Sequence, residues 1–198
     1  MITADHDHDR LAHLAAVALR GGADILQLRQ KVLGRGDLLA LARQLRVLTR
    51  AAGALFVVND FVDLALLSEA DGVHLGADDL SIGAAREIAG GRLMIGASAS
   101  TPDAALAAIK SGADYIGCGP AFATPLKPHK AVIGPTGVAV VTSAVGTSVP
   151  VFAIGGIDAS NIALLTAAGV RRACVVRAVG EAPDPEAATR DLRAMLEG

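Results

Sequence analysis

Leu55-Phe56-Val57-Val58-Asn59-Asp60 and, one helix-length later, Gly72-Val73-His74-Leu75-Gly76-Ala77-Asp78-Asp79 decide the fold. Each is an apolar run that ends in a carboxylate, and residues 61–70 between them have the length and apolar spacing of a short helix. In a parallel βαβ unit both strands point the same way, so their C-terminal ends share one rim. Asp60 and Asp79 then project onto the rim where alternating α/β folds place their ligands. Carboxylates converging there suit a hard divalent cation, typically Mg²⁺ carrying substrate phosphates. The competing reading is two helix N-caps, since Asp commonly opens a helix.

Outward from this unit the same alternation continues to both ends. Apolar strand candidates fall at residues 2–3, 25–29, 55–58, 72–75, 94–97, 115–118, 151–154 and 173–176, each followed by a segment of helical periodicity. The clearest helix spans 37–52, with Leu38, Leu41, Ala42, Leu45, Leu48 and Ala52 in one stripe. Thr101-Pro102 and Asp184-Pro185 read as an N-cap followed by proline at the first helical position. Gly21, Gly53, Gly112 and Gly169 stand where helices should stop. A weak repeat, Gly22-Ala23-Asp24, Glu69-Ala70-Asp71 and Gly112-Ala113-Asp114, leads from helix ends into strands. Near-continuous apolar strands mean burial on both faces, as in a parallel sheet. The reading is an α/β chain forming one (β/α)₈ TIM barrel over residues 1–198, with a short first strand. A doubly wound open sheet is the alternative, but no G-x-G-x-x-G follows the first strand.

Composition excludes several classes. Hydrophobic residues make up 52% of the chain, which marks a globular protein rather than a disordered one. A net charge of −2 gives no bulk attraction to nucleic acid or membrane. The first residues are acidic and polar, unlike a signal peptide, and no window of eighteen apolar residues predicts a membrane span. Cys118 and Cys174 lie in apolar runs and read as core thiols, which suits a reducing cytoplasm. His6-Asp7-His8-Asp9 has ligand-type residues but reads as a terminal loop, and His74 as a hydrogen-bonded core or rim residue.

In a barrel the strand ends form one inventory. Gln27, Arg29 and Lys31 share one side of their run by period-two alternation, and inward-pointing cations are costly unless they meet an anion. Ser98 offers a small hydroxyl at the rim. Residues 117–130 form a long loop rich in Gly and Pro, of the kind that is commonly functional. Gly155-Gly156-Ile157-Asp158 presents backbone amides that can cradle phosphate. The chain holds fourteen Arg and four Lys, and Lys31, Lys127 and Lys130 all fall in strand-end loops. Carboxylates for a metal, cations for anionic oxygens and a second phosphate cradle together imply two phosphorylated substrates, or one substrate with two phosphorylated ends.

The runs Gln27-Leu28-Arg29-Gln30-Lys31, Asn59-Asp60, Gly72-Val73-His74-Leu75-Gly76, Ile95-Gly96-Ala97-Ser98, Gly112-Ala113-Asp114-Tyr115-Ile116-Gly117 and Ala153-Ile154-Gly155-Gly156-Ile157 resemble, in order, the thiamine phosphate synthase family. That resemblance implies a transferase that joins a hydroxymethylpyrimidine diphosphate to a thiazole phosphate and releases pyrophosphate. It further implies that Gln27, Leu28, Arg29, Gln30, Lys31 and Asn59 hold the pyrimidine diphosphate. Asp60 and Asp79 would hold Mg²⁺, and Ser98 and Lys127 would be catalytic residues on the diphosphate and the leaving pyrophosphate. Thr124, Gly156, Val176 and Arg177 would face the thiazole phosphate, with Leu126 in the same loop. The family's mechanism is dissociative, the bond to pyrophosphate breaking before the thiazole nitrogen attacks. A homodimer is the implied assembly.

Three positions depart from the family pattern. The loop commonly reads Thr-x-Thr-Lys, here Thr124-Pro125-Leu126-Lys127; a common Ser is Arg177; and Gln30 stands where Glu is frequent. A guanidinium contact from Arg177 would offset the hydroxyl lost at Leu126. Two alternatives remain at this stage. One is a thiazole tautomerase of the same fold, which carries a His where this chain has Gly119-Pro120-Ala121. The other is a non-catalytic phosphate-binding barrel.

Overall fold

A computed structural model describes residues 1–126 and 128–197. Seven parallel strands form one curled sheet in sequential order: β1 (Ile25–Leu28), β2 (Leu55–Asn59), β3 (Gly72–Leu75), β4 (Met94–Ser98), β5 (Tyr115–Cys118), β6 (Val151–Ile154) and β7 (Ala173–Cys174). The helices are α1 (His8–Arg20), α2 (Arg35–Ala52), α3 (Val62–Leu67), α4 (Ile82–Ala89), α5 (Pro102–Lys110), α6 (Gly134–Val145), α7 (Ile162–Ala167), α8 (Arg177–Gly180) and α9 (Pro185–Glu197). No helix among the described residues is long and apolar enough to cross a membrane.

The eight strands expected from the sequence are met in part. The first candidate is a single bridge residue, Ile2 opposite Gln27, because the run is too short to build a ladder. It is nevertheless bonded on both sides. Thr3 N–H donates to Gln27 O and Gln27 N–H to Met1 O, while Ile2 N–H donates to Val175 O beyond β7, each at 2.9 Å. The last candidate, residues 173–176, shortens to two strand residues because the backbone turns at Val176 into α8.

Local signals behave as their chemistry demands. Thr101 caps α5 through Ala104 N–H, and Asp184 caps α9 through Ala187 N–H at 2.9 Å. Gly53 ends α2 at φ +68°, a conformation that costs glycine little. The α2 stripe buries Leu38, Leu41, Ala42 and Leu45, but Leu48 is only partly covered and Ala52 is exposed, since Thr49 takes the last buried position. Cys118 is buried in β5, where burial pushes its thiol up to about 11, and Cys174 is likewise a free thiol.

The weak Asp repeat has a structural cause. Asp71 Oδ2 accepts the Phe56 N–H at 2.7 Å while both Asp71 oxygens receive the Arg46 guanidinium at 2.7 and 2.9 Å. Asp114 Oδ2 accepts the Ile95 N–H and an Arg86 Nη2 proton, both at 2.7 Å. Asp24 pairs with Arg193 at 2.8 Å, and its own carbonyl accepts the Leu55 N–H at 2.9 Å. Each Asp thus satisfies the backbone where a neighbouring strand begins, and an arginine from the helix layer neutralises it. Replacing Asp71 by Ala leaves both the Phe56 N–H and the Arg46 guanidinium without this partner. A loss of about 2–3 kcal/mol in unfolding free energy is expected, read from the urea midpoint at unchanged slope.

Candidate functional site

The C-terminal end of β2 carries the first site residue. Asp60 follows Asn59 with φ +67°, a left-handed conformation uncommon outside glycine, and its N–H donates to His74 O at 2.9 Å. Such strain, about 1–3 kcal/mol, collects at functional positions. Asp79 lies after β3, where its Oδ2 accepts the Gly76 N–H at 2.7 Å. Neither carboxylate caps a helix: α3 has no side-chain cap, and α4 is capped by Ser81. Asp78 is exposed beside them.

The two carboxylates meet. The Asp60 carboxyl hydrogen-bonds that of Asp79, and Lys31 and Arg29 exert their charge on it. Burial first, then the hydrogen bond and charge of Asp79, push Asp60 up to about 6 against the opposing pull of Lys31 and Arg29. Asp60, pushed above the ordinary carboxyl range beside a second carboxylate, forms with Asp79 a hard-oxygen donor set that a cation would complete. Both line a cavity of about 370 Å³ with Arg35, Phe61 and Asp63. Arg35 lies over the Phe61 ring, 4.7 Å from its centroid, and is bonded to Asp63. Among the described residues no group of three or more His, Cys, Asp or Glu forms a metal cage. Two carboxylates alone match a cation that keeps water or substrate oxygens in its shell.

A polar chain crosses the sheet beside this pair. The Gln27 side chain interacts with Tyr115, whose hydroxyl lies 3.2 Å from His74 Nδ1, and His74 Nε2 lies 3.0 Å from Ser98 Oγ. It ties together Gln27 and Ser98, both expected to touch substrate, through two residues that had no assigned role. His74 is hydrogen-bonded, as expected, and Tyr115 joins it as a second supporting residue. The available signal was glycine. A Cβ on Gly96 would fall 2.0 Å from Tyr115 Cζ, and one on Gly117 would fall 3.0 Å from His74 Cε1. Strand glycines of this kind mark a close approach. Burial raises the Tyr115 phenol far above its ordinary range, so it stays neutral.

The other expected residues are distributed as follows. Gln27 and Gln30 are buried, Arg29 is partly buried and Lys31 exposed. Leu28 is buried in the core, and Asn59 pairs in register with His74. The loop after β5 folds onto Gly155 and Gly156. Ala121 N–H donates to Ile154 O and Phe122 N–H to Gly155 O, and Gly156, at φ +63°, leaves a Cβ position 2.4 Å from Ala123 O. That packing brings Thr124 beside the Gly-Gly turn, where its hydroxyl accepts the Leu126 N–H at 3.4 Å, and Leu126 is 43% exposed. Lys127 lies outside the described residues. Val176 precedes α8, and Arg177, expected to face the thiazole phosphate, is paired with Glu181 at 3.8 Å. Arg177 lines a groove of about 690 Å³ shared with Asp158, Asp184 and Asp191, an acidic surround for a phosphate ligand. His6 to Asp9 serves structure: Asp7 caps α1, and His8 Nε2 lies 2.6 Å from Gln44 Oε1.

Asp60 gives a pH test of this geometry. The folded protein holds the Asp60 proton to about pH 6, whereas the ordinary carboxyl loses it near 3.8. Between those values the native state binds more protons, so stability falls as pH rises. Asp60→Asn should therefore raise the melting temperature of the metal-free protein at pH 7–8. The gain should shrink through pH 6 and vanish near pH 4.

Comparison with known proteins identifies the family. The family model described as thiamine monophosphate synthase matches residues 1–179. A thiamine-phosphate synthase from Thermosynechococcus vestitus is 46% identical over 184 residues, covering 93% of this chain and 52% of that protein. The chain therefore spans about half the length of that relative. A thiamine-phosphate synthase from Natronomonas pharaonis is 44% identical over 199 residues, covering 98% of this chain and 92% of its own. Among solved structures, a thiamine phosphate pyrophosphorylase from Pyrococcus furiosus superposes with a TM-score of 0.89 at 40% identity, covering 99% of this chain and 93% of that one. The chain belongs to the thiamine monophosphate synthase family.

Proposed function

We propose that the chain catalyses thiamine phosphate formation, a transferase reaction joining hydroxymethylpyrimidine diphosphate to thiazole phosphate with release of pyrophosphate. One observation carries the reading: the Asp60–Asp79 pair set against Arg29 and Lys31. An isomerase of a thiazole phosphate has no need of a second, diphosphate-sized charge array. The same reading places Met1–Thr3 as the eighth strand of a closed (β/α)₈ barrel, supported by its hydrogen bonds to Gln27 on one side and Val175 on the other.

The donor chemistry of Asp60 and Asp79 fits Mg²⁺, which when bound supplies positive charge to the diphosphate oxygens. The protein's own residues do the rest. Arg29 and Lys31 hold the diphosphate as charge-assisted hydrogen-bond donors and offset the charge that grows on the leaving pyrophosphate. Ser98, held by His74, presents its hydroxyl to the same group, and Gln27, held by Tyr115, positions the pyrimidine. Thr124 and Gly156 hold the thiazole phosphate at the turn where the two loops pack. Lys127 is assigned to the departing pyrophosphate from the sequence motif. Stabilising the leaving group, rather than abstracting a proton, is the enzyme's main task in a dissociative substitution.

Turnover of the two substrates with Mg²⁺ tests the reading, monitored by pyrophosphate release. Asp60→Ala and Asp79→Ala should each lower the rate about a hundredfold or more. Full turnover in the presence of chelator, or in both variants, contradicts the assignment. Adding Mg²⁺ and pyrophosphate should also reverse the stability order described for Asp60→Asn, since only the carboxylate form gains from the ion.

A further inference from the structure

The loop that carries Arg29 and Lys31 is held by side chains from the first six residues, in a pattern that continues the strand ladder. Backbone pairing ends where Thr3 N–H donates to Gln27 O. Two residues further on, the fully buried Thr3 hydroxyl takes over, donating to Arg29 O and accepting the Arg29 N–H, both at 2.8 Å. Two residues beyond that, Asp5 Oδ1 accepts the Lys31 N–H at 2.7 Å. Gln30, buried between them, donates from Nε2 to His6 O and accepts the Val32 N–H at Oε1, each at 2.7 Å. Peptide groups from 29 to 32 are thus bonded by side chains. Asp5 Oδ2 also lies 3.7 Å from Arg29 Nη1, so the guanidinium already faces an oxyanion.

We propose that Thr3, Asp5 and Gln30 are positioning residues that lock the Arg29–Lys31 segment for an incoming diphosphate, with Asp5 as the counter-ion that substrate oxygens displace from Arg29. The proposal rests on the function proposed above. A free loop would lose conformational entropy on ordering around the anion, and the three side chains remove that cost beforehand. Gln30 acts through the backbone here, since both ends of its amide are bonded to main-chain groups. A Glu at this position could accept from Val32 but not donate to His6.

Calorimetric titration of the full chain with inorganic pyrophosphate and Mg²⁺ separates the two roles of Asp5. Asp5→Asn and Asp5→Ala remove the charge equally, but only Asn keeps an acceptor for the Lys31 N–H. Asp5→Asn should bind pyrophosphate about threefold more tightly than the parent. Asp5→Ala should bind at least tenfold more weakly than Asp5→Asn, a difference of about 1.4 kcal/mol. Thr3→Val should weaken binding, and Thr3→Ser, which keeps the hydroxyl, should restore it. In turnover, Asp5→Ala should raise KM for the pyrimidine diphosphate and leave that for thiazole phosphate within twofold. Equal affinity in Asp5→Asn and Asp5→Ala overturns the positioning role, as does an equal rise in both KM values. If Thr3→Val does not fold, the Asp5 pair still decides. A parent chain that turns over normally while these variants match one another refutes only the positioning role. A parent chain without turnover whose variants still differ in pyrophosphate affinity refutes only the proposed function.

Discussion

Everything at the functional end of the sheet depends on register at the opposite end. A parallel sheet has evenly spaced, slanted hydrogen bonds and no tight turn to fix how far one strand slides along the next. In this chain the fixing is done by carboxylates. Asp71 and Asp114 each take the backbone N–H of the second residue of a neighbouring strand and an arginine at the same time. A slip of one residue would turn every inward side chain outward, and it would also leave a half-buried ion pair without its backbone partner. The arginine-rich, lysine-poor composition follows from this work: a guanidinium can bridge a carboxylate and carbonyls together, as Arg86 does with Asp114, Leu93 and Gly112.

The elements that depend on local chemistry were legible in the sequence. Strand cores, the N-caps at Thr101 and Asp184, the glycine stops and the convergence of Asp60 with Asp79 follow from periodicity, capping and the rule that parallel strands share a rim. The ends of the sheet were not. Whether Ile2 and Thr3 make a strand is decided by partners at Gln27 and Val175, far away in the chain, and no window around Ile2 contains that information. The seventh strand is cut short by the torsion at Val176, which an apolar run cannot report.

The site was legible in its charges and obscure in its supports. Carboxylates and lysines in strand-end loops announce themselves because apolar strands make them conspicuous. Tyr115 and His74 do not, because one polar residue in a strand has many structural explanations. Only their joint relation to Gly96 and Gly117, in strands paired by register and not by sequence, gives them meaning. Gln30 has a task its motif position does not report. Its amide donates to His6 O and accepts from the Val32 N–H, bridging the main chain of two loops. Motif membership identifies a residue's neighbourhood, and the hydrogen bonds it makes identify its work.

The exchange of volume between Gly96 and Tyr115 also limits the routes by which this chain can diversify. A Cβ at 96 would fall 2.0 Å from Cζ of the Tyr115 ring, so position 96 cannot accept a side chain while the tyrosine stays as it is. A library that varies position 96 alone samples mostly chains that fail to pack. One that varies both together, trading the ring for side chains of smaller size on each strand, reaches differently shaped interiors at the same total volume.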